Sequence, residues 1–342
     1  MTENFDNSKQ LNFNKYRPTA NIIQRYYNGR EVVSLGDSES LRVLLEQEYG
    51  IKINLFTTRV KEKVADNIIP FSQLKNKSSD YYLVIPFTKA DENIKKRLSS
   101  FGFKEFKDYV FTMHKKVVIS PKTEEYHDEY GNHIVCKGCQ ISLDENVGNT
   151  TIIADKSVNF KSGCIMMIGS SNCTVNIQKD SKFGQGFKII MWSGAKLTIG
   201  EHTYFGHNGG FVIHHDHEVV IGNDTMFANE VRLYAGDGHA IFDTVTGKRR
   251  NPIPDGNNPV IEIKEHVWVG LRSIILGGRK TIIGKSSIVG AGSVVKGVFP
   301  NNCIIAGNPA KMVRKNITWN RNNSSTDIFD CGEDNIQLTQ DE

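Results

Sequence analysis

The chain has 342 residues, enough for two domains. Its 42 Lys and Arg against 38 Asp and Glu leave a formal charge of +4, which gives no reason to expect a nucleic-acid partner. No run of 18 apolar residues offers a membrane span, and the polar start MTENFDNSKQ lacks the apolar core of a signal peptide, so a cytoplasmic protein without membrane insertion is expected.

Residues 1–29 are polar and read as an arm with little structure of its own. From Arg30 the character changes. EVVSLGD reads as a buried strand, SESLRVLLEQEYG as a helix and IKINLFTT as a second strand. SDYYLVIPF, KADENIKKRLSSFGF and KDYVF continue as strand, helix and strand. This alternation predicts a small parallel α/β domain of Rossmann-like type, bounded with its linker at residues 30–125. Its first turn, Gly36-Asp37-Ser38-Glu39-Ser40, puts small residues where an anion or nucleotide can meet a helix N-terminus. A plain N-cap at Ser38, with Asp37 solvating the turn, accounts for it equally well, and the fingerprint G-x-G-x-x-G is absent.

Beyond the linker a six-residue spacing takes over. Ile199, Phe205 and Phe211 begin it, then Ile221, Phe227 and Leu233, then Ile263, Val269 and Ile275, and finally Ile283, Val289 and Val295. The period is neither the 2 of a strand nor the 3.6 of a helix, so it predicts a solenoid whose turns cover one another's apolar faces. Three hexapeptides make one triangular coil, with the first residue of each pointing inward. Coil starts at Ile153, Ile177, Ile199, Ile221, Ile263 and Ile283 are 24, 22, 22, 42 and 20 residues apart. The long step places a projecting loop within 236–260, and such loops carry function. The solenoid is bounded at 126–315, and residues 316–342, rich in Asn, Ser, Asp and Glu, read as a weakly ordered tail. Cys136, Cys139, Cys164, Cys173, Cys303 and Cys331 read as wall residues; neither a zinc set nor a structural disulfide is expected of them.

At VWVG (267–270), IIGKSSIVGAGSVV (282–295) and AGNPAKMVR (306–314) the chain resembles the hexapeptide-repeat acyltransferases, whose fold is a left-handed parallel β-helix. The loop sequence YAGDGHAIFD resembles the members that O-acetylate bacterial polysaccharides. The resemblance implies a homotrimer with acetyl-CoA bound in the groove between neighbouring β-helices. It also implies His239 as catalytic histidine, Asn229 beside the acetyl or acceptor group, and Trp268 with Gly270 along the CoA channel. Ala291 falls where a backbone amide meets the pantetheine, and Asn308, Pro309, Lys311 and Arg314 fall near the adenosine and phosphates. Where many relatives read T-K-D/N, this chain has Lys296-Gly297-Val298, which shifts the cation that would meet a phosphate.

The residue types suit that chemistry. A sugar hydroxyl must lose its proton as it attacks a thioester, and an ordinary imidazole, titrating near 6.5, can accept it. Asp237 and Asp243 flank His239, and either can orient the ring. His214 or His215, in FVIHHDHEVV, is a candidate to touch the acceptor, as is Arg250 on the loop; a metal site among these histidines is not expected. Cations at Lys248, Arg249 and Arg250 and at Lys311, Arg314 and Lys315 suit the phosphates of CoA, and Trp268 can equally be a trimer contact. The function expected is acetyl-CoA-dependent O-acetylation of a sugar in a bacterial capsule or lipopolysaccharide. N-acetylation of a nucleotide-linked amino sugar is the second enzyme reading, and a non-catalytic trimeric scaffold is the third.

Overall fold

A computed structural model of the chain describes residues 13–36, 38–58, 67–86, 92–112, 115–251 and 260–326. Asp37, Cys331 and residues 252–259 of the loop lie outside the described residues. The chain divides into two units. The first comprises residues 1–116, 128–131 and 145–149, and the second comprises 117–127, 132–144 and 150–342.

In the first unit, helix α1 (Phe13–Tyr26) precedes strand β1 (Glu31–Ser34), helix α2 (Glu39–Tyr49) and strands β2 (Ile53–Thr58) and β3 (Ile68–Pro70). A single helical turn, Phe71–Leu74, leads to β4 (Tyr81–Ile85), helix α3 (Glu92–Ser100) and β5 (Tyr109–Phe111). The five strands are parallel in the order β3-β2-β1-β4-β5. Alternate strand residues feed two apolar clusters. Val32, Tyr82 and Val84 pack with α2 through Leu41, Leu44 and Leu45, while Val33, Leu83 and Ile85 pack with Leu98 of α3. Ser38 stands at the N-cap of α2, but its side chain makes no capping bond; Gly50, left-handed at φ 65°, ends the helix through its N–H to Leu45 O.

Residues 13–26, expected to be part of an unstructured arm, form α1. The mean polarity hides a stripe of Ala20, Ile22 and Ile23, all buried against the α2 side of the sheet. Arg17 of α1 also pairs with Glu48 of α2 through two hydrogen bonds.

The second unit is a parallel β-solenoid of the left-handed type, a prism with three sheets as faces. The chain visits the first face at Lys196–Ile199, the second at Tyr204–Phe205 and the third at Gly210–Ile213, then repeats. In-register partners such as Tyr204, Met226, Trp268 and Ile288 stack along each face. All twelve residues of the six-residue series are at most 1% exposed, so the period seen in the sequence is the inward column itself. Phe183, Phe205 and Phe227 stack face to face within it, centroids 4.5 and 4.8 Å apart.

One coil start is corrected. Ile177 pairs with Ala154, which is buried, whereas Ile153 is half-exposed on the outer side. The strand alternates inward and outward, so an assignment off by one residue turns the side chain to the wrong face.

The tail expectation is also corrected in part. Trp319 is 7% exposed; its ring stacks on His266 at 4.3 Å, and its Nε1 donates to His266 O at 2.7 Å. His266 Nε2 in turn meets Trp319 O at 2.9 Å, while its Nδ1 faces Asp224 at 2.5 Å. Arg321 closes the group on Asp224 at 2.7 Å. One buried indole with paired polar partners therefore straps residues 319–321 onto the coil, which composition alone could not reveal.

Candidate functional site

The chain leaves the third face at Ala235 and regains the first at Ile261, so the long loop springs from the corner between those faces. Gly236 and Gly238 make its first bends, with φ of +107° and +73°. A side chain at Gly236 would meet His214 Cβ and His217 Cε1 at 2.9 Å, and one at Gly238 would meet His214 Cε1 at 3.2 Å. Bare backbone here lets the loop close over the preceding coil. The result is a cavity of about 160 Å³ lined by His214, His215, His217 and His239 together with Arg249 and Asn251.

Asn251 fixes the loop. Its side-chain amide donates to Asp237 at 3.0 Å and to the His239 carbonyl at 2.8 Å, and its oxygen accepts from Ile241 N–H at 2.9 Å. Asp243, one of the two expected orienters of His239, is turned away. It accepts from the backbone of Val245 and Thr246 and pairs with Arg250, and chiefly the Thr246 N–H, then Arg250, holds its carboxyl below the usual range. Arg250 is thereby committed to Asp243, and its neighbour Arg249 faces the cavity. Asp237 lines the same cavity, but among the described residues it bonds Asn251 rather than the His239 ring. His239 is exposed. Burial first, and then the imidazoles of His217, His215 and His239, depress the pKa of His214. Among the described residues no group of three or more His, Cys, Asp or Glu is placed to hold a metal ion.

Lys296 also belongs to this corner: a side chain at Gly278, in the cavity wall, would lie 2.9 Å from its Nζ. The other residues assigned by resemblance sit elsewhere. Asn229, Gly270 and Ala291 occupy the corner between the second and third faces, where Asn229 Oδ1 accepts from His207 N–H at 2.7 Å. Trp268 lies in the outer column of the second face, Tyr204–Met226–Trp268–Ile288–Ile304. That column runs to a closing hairpin, Cys303–Gly307 with Ala310–Lys315, on which Lys311 and Arg314 are exposed and Asn308-Pro309 form the turn. Within one chain, the third face thus separates the His239 corner from the Trp268 and Ala291 group.

His217, which shares the FVIHHDHEVV corner with the two candidate histidines, Arg249, expected at the phosphates of CoA, and Asn251, not expected at all, complete the cavity. Asn251 carried a weak signal, since it lies within the same loop. The five described cysteines are buried, and burial pushes the thiols of Cys136 and Cys173 up to about 12, so none is poised as a nucleophile.

No family model matches the sequence. A polysialic acid O-acetyltransferase of Escherichia coli O1:K1 is 36% identical over 170 residues, 48% of this chain and 52% of that protein. A putative acetyltransferase of Saccharomyces cerevisiae is 38% identical over 180 residues, 52% of this chain and 81% of that protein. The crystal structure of the polySia-specific acetyltransferase NeuO superposes with a TM-score of 0.53 at 34% identity, covering 58% of this chain and 83% of that one. The chain spans about half the length of the bacterial curated relatives it matches. With the solenoid, its closing hairpin and these similarities together, the chain belongs to the hexapeptide-repeat acyltransferase family.

Proposed function

We propose that the protein is an acetyl-CoA-dependent O-acetyltransferase acting on a hydroxyl of a bacterial surface polysaccharide, with His239 as general base. The observation that carries this reading is His239 held by the Asn251 clamp in a cavity it shares with three further histidines. Polysialic acid, the acceptor in the name of one relative, is the first acceptor to test.

The residues suit the co-substrate as well. The outer column of the second face is an apolar track, with Trp268 38% exposed, that ends at the cations Lys311 and Arg314. An elongated molecule with a thioester at one end and phosphates at the other suits that track. Bound there, acetyl-CoA supplies the activated acetyl group. His239 accepts the hydroxyl proton as the oxygen attacks, and backbone N–H groups at a coil corner stabilise the oxyanion; the C–S bond then breaks, and the departing CoA thiolate takes up the proton held on His239. Holding both reactants in one groove contributes several kcal/mol more.

The separation of the two groups within one chain supports a homotrimer. One outward column of the third face is apolar too, Met167–Ile190–Val212–Tyr234–Leu276, while its other outward column carries Lys188 and Arg232; the first face carries Lys196, Glu218 and Glu262. Third face against second face is a head-to-tail contact, which closes into a three-membered ring when each copy is turned by a third of a revolution. It would bring His239 of one copy to the Trp268 track of the next. The first unit is read as a small Rossmann-like domain. No observation favours N-acetylation of a nucleotide-linked amino sugar.

The test is thiol release from acetyl-CoA in the presence of polysialic acid. Wild type should show acceptor-dependent turnover, and H239A should lose about 10²- to 10⁴-fold in kcat. An H239A protein that turns over like wild type removes the mechanism.

A further inference from the structure

The acceptor cavity sits on a ladder of backbone rungs, and the rung below it carries a feature the chemistry above does not use. Gly169, Trp192, His214 and Gly236 occupy the same corner in four successive coils. They are linked by hydrogen bonds from Gly169 N–H to Met191 O, Trp192 N–H to Ile213 O and His214 N–H to Ala235 O. Trp192 is a large indole left 36% exposed at this corner. A side chain at Gly169 would strike its ring at 2.7 Å, so the indole lies on bare backbone of the coil beneath. Its centroid is 6.1 Å from that of His215, which lines the cavity.

We infer that Trp192 is a stacking platform for a second sugar of the acceptor, so that the enzyme takes a glycan chain rather than a single sugar. This rests on the functional reading above and adds to it the subsite that holds the second sugar of the polysaccharide. Coils are spaced by about 4.8 Å, which puts Trp192 about 10 Å along the axis from the Gly236 rung that launches His239. A sugar chain running from the cavity past His215 would lay its next residue over the indole. An indole suits the apolar face of a sugar ring, and seating on Gly169 restricts its motion before the ligand arrives, which lowers the entropy cost of binding. Binding energy won at this remote point can be used to align the reacting hydroxyl.

The experiment compares kcat/KM for a sialic acid monomer and a sialic acid hexamer, with acetyl-CoA saturating, in wild type, W192A and W192F. Wild type should favour the hexamer. W192A should lose about tenfold of that preference, about 1.4 kcal/mol, and W192F should restore most of it. Melting temperatures check that each variant is folded, and W192F, which keeps a ring over Gly169, guards against a collapse of the corner. A wild type without length preference, or a W192A that keeps it or is impaired equally on both acceptors, overturns the platform. A wild type that acetylates neither acceptor overturns polysialic acid as the acceptor, and the platform for its second sugar with it.

Discussion

An imidazole on a loop can serve as a base only while its backbone is held. The backbone at His239 is held by Asn251, whose amide meets both the His239 carbonyl and Asp237. N251A should therefore lower kcat by about ten- to hundredfold, because small misplacements of a catalytic group are costly. Its melting temperature should change little, since the clamp ties loop to loop; kinetics and a thermal scan on one sample check both. His214 sets a pH dependence. Its folded pKa is depressed below the unfolded value, so at mildly acidic pH the unfolded chain binds more protons than the folded one. Stability should thus rise with pH through the region below about 6.5 and level off above it. Denaturant unfolding between pH 5 and 8 should show a smaller slope in H214N than in wild type.

At the scale of elements, the solenoid derives its strength from its inward column. Phe205 is fully buried between Phe183 and Phe227, and F205A should cost about 3–5 kcal/mol, read from urea unfolding. This layer was legible in the sequence because a repeat states its own register at every coil. Legibility failed where one residue decides an element. Helix α1 depends on Ala20, Ile22 and Ile23 within a polar stretch, and the strap depends on Trp319 meeting His266 from 53 positions away. Neither partner choice leaves a periodic trace. At the site, the loop and His239 could be read from a spacing and a motif. Asn251 and the exchange of Arg249 for Arg250 required knowing that the loop folds back as a hairpin, with Phe242 bridged to Arg249.

At the scale of the molecule, the proposed function makes the chain a carrier of two half-sites. The His239 corner and the Trp268 track flank different edges of one prism, and the second and third faces each carry an apolar outward column. Subunit mixing tests this most directly. H239A keeps the track, and A291W, which sets a bulky side chain at the exposed Ala291 corner, keeps the base; each alone should be inactive. Co-expressed and purified as mixed assemblies, they should regain acetyl transfer, because some grooves then join an intact His239 to an intact track. A mixture as inactive as its two parents would contradict a site built between copies.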